Sequence, residues 1–230
     1  MRTLAIGDIH GCSKALRGLI DAIAPQPEDR IVFLGDYVDR GPDPRGVVDY
    51  LIELKNKCNA VFLLGNHEIM FRGALRGLDP SLWLQIGGQT TLTSYGGKLE
   101  DVPENHRQFF DECLPYFETE EHIFVHANYE ASLPLAEQTE HALYWEHLTD
   151  RLPEPHYSGK PVFVGHTPQA YGRVSVLEHL VCLDTACFAG YWLSGMDVHS
   201  GETWQVSKLG HLKEDWRALK RFLRWIGRKT

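Results

Sequence analysis

Ile31-Val32-Phe33-Leu34-Gly35-Asp36-Tyr37-Val38-Asp39-Arg40-Gly41 is the stretch that decides how the chain folds. Its four leading apolar residues read as a strand buried on both faces. The strand stops at Gly35-Asp36, and a second carboxylate, Asp39, precedes Arg40-Gly41. A buried strand ending in a carboxylate puts that charge at the rim of the sheet, over the crevice where ligands collect in α/β folds. An unpartnered carboxylate there is unfavourable, so a cation or a proton must meet it.

The same design recurs on both sides of this stretch. Thr3 to Gly7 reads as a short strand running into Asp8-Ile9-His10-Gly11, and Ala60 to Leu64 as one running into Gly65-Asn66-His67-Glu68. His122 to Val125 leads into His126-Ala127, and Pro161 to Val164 into Gly165-His166-Thr167-Pro168. Helices are expected between the first three strands. One is capped by Ser13 and runs to Ala24, with Leu16, Leu19, Ile20 and Ile23 on one face and Pro25 and Pro27 beyond it. The other starts at Asp43-Pro44 and runs to about Lys57, carrying Val47, Val48, Leu51 and Leu54. Strands alternating with helices predict a largely parallel α/β region.

Residues 69–120 lose that rhythm. Ile69 to Leu75 and Glu104 to Cys113 read as helices, joined by glycine-rich connections through Trp83-Leu84-Gln85-Ile86-Gly87-Gly88-Gln89-Thr90 and Ser94-Tyr95-Gly96-Gly97. The expectation is a helical insert overhanging the site, with Trp83 itself as plain core packing. A polar helix is expected over Leu133 to Thr149. Short strands then follow at Val174 to Leu177, Leu180 to Leu183, Tyr191 to Val198 and Thr203 to Val206, the last two joined by the turn His199-Ser200-Gly201-Glu202. A helix near Glu214 to Ile226, within residues 213–228, closes the chain. Seven basic and two acidic residues lie between Lys213 and Thr230, which reads as a solvated helix face. No internal repeat or linker breaks the sequence, so residues 1–230 are expected to form one domain.

Composition narrows the function. With 230 residues, 43% of them hydrophobic and 23% charged, the chain has the makeup of a soluble domain with a sizeable core. A formal net charge of -8 argues against nucleic acid or an anionic membrane as the partner. The N-terminal apolar run is broken by Asp8, unlike a signal peptide, and no apolar window spans a bilayer. Cys12, Cys58, Cys113, Cys182 and Cys187 are scattered and lack paired close spacings, as expected of reduced thiols in a cytoplasmic protein.

The strand-end loops carry the chemistry. Asp8, His10, Asp36, Asn66, His126 and His166 are oxygen and nitrogen donors without a thiolate, a set suited to manganese, iron or zinc. Six ligands exceed the need of one tetrahedral ion. Two divalent ions sharing one carboxylate fit better, and Asp36 on the central strand is the natural bridge. Such a pair serves hydrolysis of phosphate esters, because it supplies hydroxide near neutral pH and clamps the attacking and leaving oxygens. A lone Asp-X-His or a lone histidine after a strand is commonly structural, but five such loops in one chain are hard to assign to chance.

Gly7-Asp8-Ile9-His10-Gly11, Gly35-Asp36-Tyr37-Val38-Asp39-Arg40-Gly41 and Gly65-Asn66-His67-Glu68 together resemble the signature of the phosphoprotein phosphatase (PPP) family of calcineurin-like metallophosphoesterases. His126-Ala127 and Gly165-His166-Thr167 are similar to its two later histidine motifs, so the resemblance runs from Gly7 to about Asp184, nearest to the small bacterial and phage members. The resemblance implies a four-layer αββα sandwich, two mixed β-sheets packed face to face with helices outside. It implies one metal at Asp8, His10 and Asp36 and a second at Asp36, Asn66, His126 and His166, with manganese the expected ion and iron or zinc its alternatives. It further implies that Arg40 grips two phosphate oxygens, that His67 protonates the leaving oxygen, and that Asp39 holds the His67 ring. A hydroxide bridging the two metals would then attack phosphorus directly, with no phosphoenzyme. Family members usually carry a second phosphate-binding arginine between the late histidine motifs. Here that segment reads Tyr144-Trp145-Glu146-His147-Leu148-Thr149-Asp150-Arg151, and His147, Arg151 or neither fills the role.

The expected activity is hydrolysis of phosphate monoesters, foremost phosphoserine or phosphothreonine in proteins, with phosphotyrosine also open. The alternative is symmetrical hydrolysis of a dinucleoside polyphosphate, a small phosphate ester substrate. That subfamily tends to carry Gly-Asn-His-Asp, and Glu68 therefore favours the first reading. A scaffold without catalysis is argued against by the intact Asp39, Arg40 and His67.

Overall fold

The computed structural model describes residues 1–213. In chain order the strands are β1 (Thr3–Ile6), β2 (Arg30–Phe33), β3 (Asn59–Phe62), β4 (Tyr116–Glu118), β5 (Ile123–Val125), β6 (Val162–Val164), β7 (Ser175–Val176), β8 (Leu180–Cys182), β9 (Trp192–Asp197) and β10 (Thr203–Ser207). They form two five-stranded sheets, ordered β10-β9-β1-β2-β3 and β4-β5-β6-β8-β7. Both are mixed. β1 pairs parallel with β2 at Ala5↔Val32 and antiparallel with β9 at Ala5↔Met196. β6 runs parallel to β5 and β8, whereas β4 and β7 run antiparallel to their neighbours at the edges.

Side-chain alternation sets the layers. Ala5, Val32, Leu34 and Leu63 of the first sheet's strands and strand ends cluster with Phe124, Phe163, Val181 and Leu183 of the second, forming the seam between the sheets. The alternate residues Leu4, Ile6, Ile31 and Phe33 join the larger cluster that includes Leu16, Leu19, Val47 and Leu51 of the outer helices. Both faces of the central strands are therefore covered, which is why Ile31 to Leu34 is an unbroken apolar run. Gly195 on β9 belongs to this packing. A Cβ there would lie 3.1 Å from Ile23 Cδ1, so the missing side chain lets the first helix sit close to the sheet.

The helices are α1 (Ser13–Ile23), α2 (Pro44–Lys55), α3 (Asn66–Leu75), α4 (Ser81–Trp83), α5 (Gln89–Ser94), α6 (Glu104–Asp111) and α7 (Glu140–Tyr144). α2 starts as the sequence predicts, with Asp43 accepting from the Gly46 amide at 3.1 Å and proline in the first turn. α1 differs in its cap. Cys12, not Ser13, is the N-cap residue and makes no side-chain cap bond, because the chain enters through the tight loop at His10 and Gly11. α3 begins three residues before the predicted Ile69. Glu68 in its first turn accepts from the Gly65 amide at 3.1 Å, which draws Asn66 and His67 into the helix.

Two other expectations are corrected. The glycine-rich connection after Trp83 is helical: α4 passes through a π turn at Leu84–Gly88 into α5, with the chain redirected at Gly87 (φ 129°). The polar helix expected over Leu133 to Thr149 is reduced to a 3-10 turn at Leu135–Glu137 and the short α7. Gln138 interrupts it. Its side chain pairs with both the N–H and the C=O of Glu130 (2.6 and 2.9 Å), pinning residue 138 in an extended conformation. All five cysteines are free thiols. Among the described residues no helix is long and apolar enough to cross a membrane. The expected C-terminal helix lies outside the described residues.

Candidate metal centre

Asp8, His10, Asp36, Asn66, His126 and His166 converge where β1, β2, β3, β5 and β6 give way to their loops, and all six are buried. The convergence demands unusual backbone. Of the eight non-glycine residues with positive φ among the described residues, five are His10 (43°), Asp36 (52°), Asp39 (69°), Arg40 (64°) and His166 (60°). Such conformations persist only where surrounding contacts over-determine them, and they cluster at functional sites. Here the contacts are explicit. The amides of Ile9 and His10 both donate to the Asp36 carbonyl, at 3.0 and 2.8 Å. The Glu68 carboxylate accepts from the amides of Asp36, Tyr37, Val38 and Gly65 at 2.8 to 3.2 Å and so clamps the central loop to the start of α3. Glycine at the strand ends has a steric cause as well. A Cβ on Gly65 would lie 2.2 Å from Asp36 Oδ1, and one on Gly165 would lie 2.1 Å from Asp8 Oδ1.

The donor atoms face one another. Asp36 Oδ2 lies 3.4 Å from His10 Nε2, and Asp36 Oδ1 lies 3.5 Å from His126 Nε2. The Nδ1 atoms of these two rings lie 2.8 Å from the carbonyls of Val38 and Leu34, which can only accept. The proton therefore sits on Nδ1 in each ring, and both Nε2 lone pairs point at the Asp36 carboxylate. His166 is arranged the other way round, with Nε2 at 3.2 Å from the Trp145 carbonyl and Nδ1 turned inward. Asn66 directs its amide oxygen at Asp36 Oδ1, Asp36 Oδ2, His126 Nε2 and His166 Nδ1, each 3.2 to 3.3 Å away. Lone pairs aimed at lone pairs repel, unless a cation lies between them. Swapping the amide would offer its two N–H groups to two of these four acceptors, and would leave His10 Nε2 still facing Asp36 Oδ2.

Two groups of ligand atoms lie within 4.8 Å of one another: His10, Asp36 and His67, and Asp36, His126 and His166. Asp36 belongs to both. Asp8 lies beside them, with its two oxygens accepting from the His166 amide at 3.2 and 3.0 Å. Electrostatics point the same way as the geometry. Burial, then the neighbouring Asp184 and Asp36, push Asp8 well above the usual carboxylate range. Burial also opposes charge on Asp36, and its carboxylate is held down only when positive charge stands at the facing His126, His67, His10 and His166 positions. Asp184, missed in the sequence because it follows β8 without a ligand motif, is pushed up to about 6 by burial, and its Oδ2 has no partner among the described residues. Buried carboxylates crowded in this way are tolerable only with positive charge beside them. The donor set thus fits two divalent ions.

Beside this centre sits a second constellation. His67 Nδ1 is 2.6 Å from Asp39 Oδ2, while His67 Nε2 is buried and has no partner among the described residues. Burial lowers the pKa of His67, but Asp36 and Asp39 outweigh it, and the imidazole lies above its ordinary value. Arg40 NH1 reaches to 3.0 Å from His10 Nε2, and its guanidinium lies 4.8 Å over the Phe188 ring. The insert supports both Asp39 and Arg40. Trp83 Nε1 donates to Asp39 Oδ1 and Oδ2 at 3.0 and 2.9 Å, and the Thr91 hydroxyl donates to Oδ1 at 2.6 Å while accepting from the Asp39 amide at 2.9 Å. The Arg40 amide donates to the Gly87 carbonyl at 3.1 Å. Trp83 is buried and stacked on Phe71, but it is more than the plain packing expected of it, since its indole N–H holds Asp39.

The two candidates for a further phosphate grip separate. His147 stacks on His166 with ring centroids 4.2 Å apart, at the edge of the centre. Arg151 is engaged elsewhere: it donates to both oxygens of Glu146, to Glu130 at 3.2 Å and to the Tyr129 carbonyl at 3.1 Å.

Comparison with known proteins agrees with the geometry. The family described as calcineurin-like phosphoesterase matches residues 1–188. A symmetrical bis(5'-nucleosyl)-tetraphosphatase of Pseudomonas fluorescens is 40% identical over 80 residues, covering 34% of this chain and 28% of that protein. A serine/threonine-protein phosphatase 1 of Salmonella typhimurium is 34% identical over 137 residues, covering 55% of this chain and 59% of that protein. The chain thus spans less than two-thirds of the length of either curated relative. A solved structure provisionally called a diadenosine tetraphosphatase superposes with a TM-score of 0.68 at 22% identity, over 89% of this chain and 92% of that one, a likeness of fold.

Proposed function

The chain belongs to the calcineurin-like phosphoesterase family, a hydrolase family with a dinuclear divalent metal centre, and on that footing we propose that it hydrolyses dinucleoside tetraphosphates symmetrically. The observation that carries this reading is the 40% identity to a symmetrical bis(5'-nucleosyl)-tetraphosphatase over one 80-residue segment. Glu68, which in the sequence spoke for a phosphoprotein substrate, loses that weight. All four of its bonds go to backbone amides, so it shapes the loop and does not read a substrate. Aromatic side chains on the loops beyond the centre add support. Phe188 is half-buried next to Arg40, and Tyr171 and Tyr191, on the loops that leave His166 and Asp184, are exposed. Exposed rings of this kind suit stacking against nucleobases.

In this reading Asp8, His10 and Asp36 would hold one ion and Asp36, Asn66, His126 and His166 the other, with manganese the proposed ion and iron or zinc its alternatives for this mixed oxygen and nitrogen set. When bound, the ions would supply an activated water and neutralise charge on the phosphoryl oxygens. Arg40 orients the phosphate under attack. Water oxygen adds to one of the two central phosphorus atoms and gives up a proton to solvent, the bond from that phosphorus to the oxygen shared by the two central phosphates breaks, and His67 Nε2 gives its proton to that oxygen on the departing nucleoside diphosphate. Asp39 keeps the His67 ring oriented and protonated. The products are two nucleoside diphosphates. Incubation of manganese-loaded protein with diadenosine tetraphosphate is expected to yield ADP as the sole nucleotide. ATP with AMP, or no reaction while a phosphoserine peptide is turned over, would contradict it. That second outcome would favour the phosphoprotein reading, which the 34% identity to the serine/threonine-protein phosphatase supports.

A further inference from the structure

A separate group of metal-type donors lies at the opposite end of the sandwich. Glu121 and His122 sit in the turn between β4 and β5 of the second sheet, and His199 sits in the turn between β9 and β10 of the first. One ligand atom from each lies within 4.8 Å of the others. His199 Nδ1 is 3.2 Å from Glu121 Oε2, and the His122 and His199 rings stand edge to face with centroids 5.0 Å apart. Thr3, where β1 begins, lines the same cleft as Glu121 and His199, whereas Asp8 leaves β1 at its far end toward the reaction centre.

We infer that Glu121, His122 and His199 form a third metal site, selective for zinc, that ties the two sheets together away from the reaction centre. Two imidazoles and a carboxylate are a zinc ligand set, and with three protein ligands a fourth position remains for water. The donors are partly fixed in advance. His122 is 9% exposed and packs on Phe163 and Phe124, and its ring nitrogens have no hydrogen-bond partner among the described residues. The Thr119 hydroxyl accepts from the amides of Glu121 and His122 at 3.3 and 2.9 Å. Asp197 takes the His199 amide at 3.1 Å and the Ser200 hydroxyl at 2.8 Å. Both turns are thus braced under their ligands. The final approach to the roughly 3.3 Å edge of a tetrahedral zinc site falls to the exposed side chains of Glu121 and His199, whose ligand atoms already lie 3.2 Å apart.

The two imidazoles favour zinc over manganese, magnesium or calcium. The cleft beside the site, about 790 Å³ and also lined by Arg30 and Lys160, leaves the ion open to solvent. The test is zinc content per chain after equilibrium dialysis of the full chain, compared among wild type, His199→Ala and Glu121→Gln. Wild type is expected to hold one zinc more than His199→Ala, and Glu121→Gln to bind that zinc about tenfold more weakly or worse. Zinc should raise the melting temperature of wild type more than that of His199→Ala, since it joins two sheets in the first and not in the second. Manganese-dependent hydrolysis should be equal in all three proteins. Identical zinc content in wild type and His199→Ala, or identical zinc-induced melting shifts, would overturn the assignment. Both substituted side chains are largely exposed, so loss of the fold does not confound the result.

Discussion

The strand-end loops and the helical insert both reach the reaction centre, but they contribute differently. The loops bring the donor atoms: Asp36 between His10 and His126, and Asn66 facing four acceptors. The insert brings none. Trp83, Thr91 and Gly87 touch Asp39 and Arg40, and through Asp39 they reach His67, the proposed proton donor, while Arg40 is the proposed phosphate grip. One region makes the chemistry possible, and the other sets how well it is aimed. Loss in the first should abolish activity, while loss in the second should scale it down.

Substitutions can break that division. Asp36→Asn removes the charge shared by both ligand groups and should lower activity by roughly 10³-fold or more, with matching loss of bound metal. Undiminished metal content would show that the bridge lies elsewhere. His67→Asn should slow turnover by about 10²- to 10⁴-fold on a phosphoserine peptide. The effect on diadenosine tetraphosphate should be smaller, since a departing phosphate needs protonation less than an alkoxide does. Equal losses on both substrates would deny His67 its role as proton donor.

Asp39→Asn should cost about 10- to 100-fold, and it also moves the pH profile. The donor works only while His67 is protonated, so activity falls as pH rises through its pKa. Burial lowers that pKa and Asp36 and Asp39 raise it, so removing the Asp39 charge should shift the alkaline limb to lower pH. An unchanged limb would mean that another group sets it. The smallest effect is expected from Trp83→Phe, which keeps the stack on Phe71 and loses only the indole donor. Asp39 retains Thr91 and His67, so a loss of about 1 kcal/mol, roughly five-fold in kcat, is expected, and it should largely vanish in an Asp39→Asn background. Additive losses there would place Trp83 outside the Asp39 network.

The same contrast explains what could be read from the sequence. Asp8, His10, Asp36, Asn66, His126 and His166 are rare residue types after apolar runs, and the repeated strand-glycine-donor pattern carried both the sheet alternation and the donor set. The glycines are legible because neighbouring atoms occupy the space of their missing Cβ atoms: carboxylate oxygens at Gly65 and Gly165, the Leu183 carbonyl at Gly7 and the His126 ring at Gly35. Trp83 and Thr91 were not legible as partners of Asp39. A tryptophan and a threonine in a helix look the same whether they pack or position, and here the contact spans 44 and 52 residues. Asp184 gives no local signal either, since its importance lies in being buried near Asp8 and Asp36. Glu68 was visible but misread, because its role lies in four amide bonds that only the folded loop brings together. The helix over Leu133 to Thr149 failed because Gln138 bonds to Glu130, a contact that helical periodicity does not reveal.

Electron paramagnetic resonance of the manganese-loaded chain tests the central claim most directly. Two ions sharing the Asp36 carboxylate should give the spectrum of an exchange-coupled pair, lost in Asp36→Asn. A spectrum of isolated manganese ions in the wild-type protein, with full activity, would contradict it.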